Sequence, residues 1–140
     1  MDYRLNNEAI VACVIAQLVR NGRRRLPVVV GLTNLLMHEK ERKKVLSSNN
    51  VQELTAIVGQ LDGGLLAIIM NSIVMMIKGG CMTFGEDVLC LTPSGMNLCE
   101  QMRDGRSKIL RNIIADMPSI MRKMEDTGVE LLKTRYVIAL

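Results

Sequence analysis

Cys81–Gly95 reads CMTFGEDVLCLTPSG, and this stretch decides the fold. CMTF and VLCLT are short apolar, β-branched and aromatic runs separated by Gly85, Glu86 and Asp87, the pattern of two strands joined by a polar turn. Thr92 and Pro93 then mark a helix start. The threonine hydroxyl accepts from an orphan amide of the first turn, and proline suits the first helical position because its missing N–H has no helical partner there. PSGMNLCEQM continues as that helix. On the other side, Gly79 and Gly80 close the preceding helix, since glycine tolerates the left-handed conformation that ends helices.

That preceding helix is Leu65–Lys78, almost wholly apolar. Before it, Gly63 and Gly64 interrupt the chain, and Asn50 with Glu53 three residues on forms a capping box for a helix carrying Val51, Leu54, Ile57, Val58 and Leu61. Helix, helix, hairpin, LTPSG and another helix predict a winged-helix-like module over residues 47–104, with the hairpin as its wing. Helices flank it. Ile10, Val11, Val14, Ile15, Leu18 and Val19 repeat at helical spacing in Asn7–Arg20, with Asn6 or Asn7 as cap, and Gly22 and Arg23–Arg25 end that run. Pro27 opens a second apolar helix over Val28–Met37, although its β-branched run also suits a strand. His38–Leu46 is polar and Ser47–Asn50 is turn material, which sets a boundary. In the last segment Ile109, Leu110, Ile113, Ile114 and Met117 share one helical face, Pro118 is expected to break or kink the helix, a short helix follows around Val129–Thr134, and the apolar end YVIAL docks somewhere. The expectation is a mainly α, single compact domain, with an N-terminal helical segment (1–46), the winged-helix-like module and a C-terminal helical segment (105–140).

Apolar residues make up 49% of the 140 and charged ones 23%, which excludes the disordered class. Eleven methionines against one phenylalanine and no tryptophan suit an adaptable core or interface. MDYRLNNEAI lacks the basic-then-apolar pattern of a secretory signal. The longest apolar run, Leu65–Ile77, is broken by Asn71 and Ser72 and is shorter than the ~20 residues that cross a bilayer. A cytoplasmic protein without membrane contact is expected, with Cys13, Cys81, Cys90 and Cys99 as reduced structural thiols.

Charge weighs against duplex reading. Net charge is +5 over residues 1–46, −4 over 47–102 and +3 over 103–140. Phosphate neutralisation supplies most DNA affinity, yet the central segment holds one basic residue, Lys78, and its wing tip holds Glu86 and Asp87. In the helix that would enter a major groove, only Asn71 and Ser72 have base-reading chemistry. Its apolar face must meet another segment of the chain or a partner protein. Ile69, Ile73 and Met76 are the partner-binding candidates. Arg23, Arg24, Arg25, Lys40, Arg42, Lys43 and Lys44 are candidates for contact with an acidic partner or a nucleic-acid backbone, though a solvated helix end and loop would carry the same charges. No aromatic stands among them to stack bases.

Catalytic chemistry finds little to work with. His38 is the sole histidine, no CxxC pair exists, the cysteine spacings are unlike zinc knuckles, and there is no GxxxxGK[ST] phosphate loop. The expectation is a non-enzymatic protein without metal or cofactor.

NNEAIVACVIAQLVRNG and LPVVVGLTNLLMHEKERKKVL, with Leu26, Pro27, His38 and Arg42 at the matching positions, resemble the start of the middle components of bacterial three-component ABC-ATPase systems. SKILRNIIADMPSIMRKMEDTGV resembles the closing element of that family. The resemblance implies a winged-helix-containing subunit that bridges or regulates an SMC-like or AAA-type ATPase and an effector subunit, often in antiphage defence, with a homodimer compatible. Kite proteins, which hold other proteins through winged helices, offer a physical analogy. The alternative is a winged-helix transcription regulator that touches DNA through its basic terminal segments. It needs those segments to converge on one face.

Overall fold

The computed structural model describes residues 7–20, 22–103, 107–128 and residue 138. The described residues form seven helices and a small three-stranded antiparallel sheet, and the architecture is mainly helical. In chain order these are α1 (Asn7–Arg20), β1 (Arg24–Arg25), α2 (Leu26–Met37), α3 (Glu39–Ser47), α4 (Val51–Gly59), α5 (Leu66–Lys78), β2 (Met82–Gly85), β3 (Val88–Leu91), α6 (Pro93–Arg103) and α7 (Lys108–Thr127).

The first helix is the axis of the packing. Ile10, Cys13, Val14 and Leu18 lie on one side of α1, and Val11, Ile15, Ala16 and Val19 on the other, each set at the three-and-four spacing of a helical face. The first set joins a cluster with Leu32, Leu35 and Leu36 of α2, Val45 of α3, Leu54 of α4 and Leu110, Ile113, Met117, Ile120 and Met124 of α7. The second joins Leu26, Val29 and Val30 of α2, Ile69, Ile73 and Met76 of α5, Met82 and Leu89 of the sheet and Cys99 of α6. At about 1.5–3 kcal/mol for each fully buried aliphatic side chain, two such clusters are the main stabilising term. The first runs across both divisions expected at 46/47 and 104/105, and the second across 46/47, because α1 and α2 supply each of them.

The hairpin forms as expected. Met82 pairs with Leu91, Thr83 with Cys90, Phe84 with Leu89 and Gly85 with Val88. Its two-residue turn has Glu86 at φ 54° and Asp87 at φ 66°, the doubly positive geometry whose twist suits a tight hairpin. A third strand, absent from the sequence reading, is β1: Arg24 pairs with Leu89 and Arg25 with Val88, giving the order β1-β3-β2. The Asp87 carbonyl also accepts from Leu26 N at 2.8 Å, so the hairpin tip satisfies an orphan amide at the start of α2.

LTPSG builds the joint between sheet and α6. Thr92 Oγ1 donates to the Gly80 carbonyl at 2.6 Å and accepts from Gly95 N at 3.1 Å, capping α6. A Cβ on Gly95 would stand 2.0 Å from the Cys81 carbonyl oxygen, so only glycine lets the helix start this close to the strand.

His38–Leu46, read only as a polar stretch, supplies most of helix α3 (Glu39–Ser47), which buries Arg42 and Val45, and the chain leaves regular structure at 48–50. Pro118 does not break the last helix, since α7 continues through it to Thr127 and ends at Gly128 with φ 66°. Pro118 is exposed, so the Ile114 carbonyl that loses its helical donor lies beside solvent rather than inside the core. The expected helix around Val129–Thr134 and position Asn6 lie outside the described residues; of YVIAL only Ile138 is described, partly buried against the second cluster. No helix among the described residues is long and apolar enough to cross a membrane.

Candidate protein-binding surface

At 100° per residue the thirteen residues of α5 divide cleanly. Ile69 and Ile73 are fully buried and Met76 is 8% exposed, all against α1, α2 and the sheet. The three partner-binding candidates therefore serve the chain's own core. This corrects their assignment, because burial within the chain leaves nothing of Ile69 or Ile73 for a partner to touch. The opposite arc holds Ala67, Asn71, Met75 and Lys78, all exposed, with Ile68, Met70 and Val74 half-buried at its edges. Met75 is 61% exposed, the largest value among the exposed large apolar side chains described. A shallow depression beside it is lined by Glu8, Ala12, Asn71 and Cys81. The sequence carried a signal for this orientation: Asn71 and Lys78, seven residues apart, mark the solvent side of an otherwise apolar helix.

The basic candidates separate into different roles. Arg42 is buried, with Nε 2.8 Å from an Asp116 carboxylate oxygen on α7 and Nη1 donating to the Leu36 carbonyl at 2.6 Å. It is therefore an internal strut and a cap for the end of α2, which corrects its assignment as a contact residue. His38 works at the same joint: its Nδ1 lies 2.7 Å from the Asn34 carbonyl, and its backbone N–H donates to Leu35. Leu26–Pro27 and His38–Arg42, the positions that carried the family resemblance, are thus the two ends of α2. Arg24 Nε donates to the Leu18 carbonyl, and Arg25 pairs with Asp87 at 3.4 Å while remaining largely exposed. Lys43 pairs with Glu39 at 3.0 Å, and that hydrogen bond and charge hold the Glu39 carboxyl below its usual range. Arg23, Lys40 and Lys44 are exposed. The two basic groups sit at opposite ends of α2, about 17 Å apart along a twelve-residue helix. They do not form one patch.

Sequence reasoning missed Lys123, which donates to the carbonyls of Val45, Leu46 and Ser48 at 3.0, 2.9 and 2.7 Å and so closes the C-terminus of α3. Its position three residues after Ile120 on α7's amphipathic face gave no hint of that partner. A groove of about 400 Å3 runs between α1 and α7, with Ile114, Met117 and Met121 as its apolar lining and Gln17, Arg20 and Arg122 among its polar groups.

The thiols are placed as structural groups. Cys13 and Cys99 are buried, and Cys81 and Cys90 are half-buried. Burial pushes the Cys13 thiol up, with proximity to Cys99 adding to it, which is the opposite of an activated nucleophile. Among the described residues no three His, Cys, Asp or Glu side chains gather to hold a metal ion.

No protein-family model, curated protein or solved structure matches the chain.

Proposed function

We propose that this chain is a non-enzymatic adaptor subunit that works by binding protein through the outward face of α5. The carrying observation is that this face, exposed along Ala67, Asn71 and Met75, holds a single cation, Lys78. In chain order α1, β1, α2, α5 and the β2–β3 hairpin follow the helix, strand, helix, helix, strand, strand plan of a winged helix, with α3 and α4 inserted before α5. Read this way, the module starts at α1 rather than at residue 47, and α5 takes the place of the helix that reads DNA in such folds. A helix in that place with Met75 and Ala67 outward suits an apolar protein surface, and the acidic pair Glu86 and Asp87 at the hairpin turn disfavours phosphate there.

The resemblance to middle components of three-component ABC-ATPase systems supplies the class of complex: an SMC-like or AAA-type ATPase with an effector subunit, in bacterial antiphage defence. The regulator alternative is weakened by the separation of its basic groups and by the internal role of Arg42. The test is co-purification of the tagged full chain with proteins of its native host, beside a duplex titration at about 0.15 M salt. Stoichiometric recovery of an ATPase, without duplex binding by the chain alone, supports the adaptor. Recovery of no protein, with salt-sensitive duplex binding, overturns it.

A further inference from the structure

Helix α5 closes with Met75–Cys81, MMIKGGC, and the closure turns the cysteine back toward the methionines. Gly80 takes φ 78°, its N–H donates to the Ile77 carbonyl at 3.1 Å, and Cys81 N donates to the Met76 carbonyl at 2.9 Å. These are the two hydrogen bonds of a Schellman stop, whose characteristic contact sets the residue after the left-handed glycine against the side chains of the last turn, here Met75 and Met76. The depression beside α5 agrees with that placement. Met75, Met76 and Cys81 all line its roughly 350 Å3, together with the exposed Glu8 of α1. Two thioethers and one half-buried thiol thus share a single hollow open to solvent. We propose that Met75, Met76 and Cys81 form a binding site for a soft monovalent metal cation, Cu(I).

The donor set chooses the metal. Thiolate and thioether sulfur select Cu(I), whereas zinc takes four ligands from Cys, His and carboxylate, and among the described residues no such set gathers. On binding, the Cys81 S–H bond breaks, the sulfur bonds the metal and the proton passes to water. Copper keeps its oxidation state, and one Cu(I) with one thiolate leaves the site neutral. Met76 is 8% exposed and fixed by the core, while Met75, 61% exposed, has three free rotors with which to close over the metal. Glu8 is a hard donor, so it adds attraction for an incoming cation rather than a bond. The remaining thiols lack this setting, since Cys13 and Cys99 are buried and Cys90 does not line the hollow. All three ligands come from this chain, so the site is independent of the reading of α5 as a protein-binding face.

The experiment is anaerobic titration of the full chain with Cu(I) against bicinchoninate as competing chelator, for the wild type, Cys81→Ser, Met75→Leu and Cys90→Ser. The wild-type chain holds one Cu(I), and Cys81→Ser releases it to the chelator. Met75→Leu keeps the apolar bulk and the circular dichroism spectrum but binds at least about tenfold more weakly, the lower end of what losing even an outer support of a metal ligand costs. Cys90→Ser binds as the wild type does. Copper-edge X-ray absorption of the one-to-one complex shows three sulfur neighbours, which brings in Met76 without altering the core. Bound Cu(I) also protects Cys81, and not Cys90, from alkylation. A wild-type chain that yields all its Cu(I) to the chelator overturns the site. So does Met75→Leu at wild-type affinity, Cys90→Ser as damaging as Cys81→Ser, or a copper with a single sulfur neighbour.

Discussion

Arg42→Met isolates the joint where α2, α3 and α7 meet. The methionine keeps much of the apolar stem but removes the guanidinium, whose Nε meets Asp116 at 2.8 Å and whose Nη1 meets the Leu36 carbonyl at 2.6 Å. Deleting one partner of a fully buried pair costs about 3–5 kcal/mol. Here the side chain of Arg42 is 4% exposed but that of Asp116 is 29% exposed, so the orphaned carboxylate regains water and that part of the penalty shrinks. The Leu36 carbonyl does not escape so easily, and an unsatisfied buried acceptor costs about 1–3 kcal/mol. The expected loss is about 2–4 kcal/mol, a large share of the roughly 5–15 kcal/mol that holds a domain together. Urea unfolding followed by circular dichroism reads this as a midpoint about 1–2 M lower with an unchanged slope. Arg42→Lys falls between the two, because one ammonium cannot reproduce the planar fork that serves both acceptors. A loss below about 0.5 kcal/mol for Arg42→Met would refute the strut and return Arg42 to the surface, as the scale of ordinary surface substitutions.

Four further outcomes follow from the same geometry. Gly95→Ala forces the start of α6 away from the Cys81 carbonyl, and thermal unfolding is expected to show a loss above about 2 kcal/mol, whereas a neutral substitution would mean the joint is loose. Ile69→Glu buries an unpaired carboxylate and abolishes folding, while Met75→Glu, six residues along the same helix, leaves the circular dichroism spectrum and the melting temperature within a degree or two; equal effects would contradict the assigned faces of α5. Thr33→Val removes a hydroxyl that is buried without a hydrogen-bond partner among the described residues, and a gain of about 1 kcal/mol in urea unfolding is expected, a loss of that size showing that the hydroxyl is bonded after all. Under native conditions Cys81 and Cys90 alkylate first, and the buried Cys13 and Cys99 later. The folded Cys13 thiol stays protonated above its ordinary value of 9.0, so the unfolded chain releases that proton first and stability falls as pH rises past about 9. Mass spectrometry showing Cys13 modified as fast as Cys81 would contradict its burial.

The elements most legible in the sequence were those with local chemical punctuation. Asn50 caps α4 by accepting from Gln52 N and Glu53 N, but the expected box is not reciprocal, since Asn50 N donates to Ser48 Oγ and the Glu53 carboxylate accepts from that hydroxyl instead; the Gly79–Gly80 stop and the hairpin around Glu86–Asp87 stand where expected. What stayed hidden depended on distant partners. Glu39–Lys44 looks like a solvated run because its burial comes through the Arg42–Asp116 pair, 74 positions apart in the chain, rather than through an apolar stripe. Strand β1 is two arginines whose only reason to be extended is the edge of β3. On α5 the apolar residues alone did not orient the helix, since Ile69, Ile73 and Met76 and the opposing Ala67 and Met75 are comparably apolar, and only Asn71 and Lys78 marked the solvent side. Packing against α1 decided between them. For the same reason the packing of α5 and the hairpin against α1 and α2 could not be read from the segment that contains the hairpin.

Whether the outward face of α5 meets protein is read out by site-directed photo-crosslinking in the native host. A photoreactive residue replaces Met75 in one chain and Lys40, at the far end of α2, in another. The expectation is protein adducts from position 75, and no nucleic-acid adducts there. Trapping of nucleic acid at position 40, with no protein adduct from position 75, would contradict it and favour the regulator.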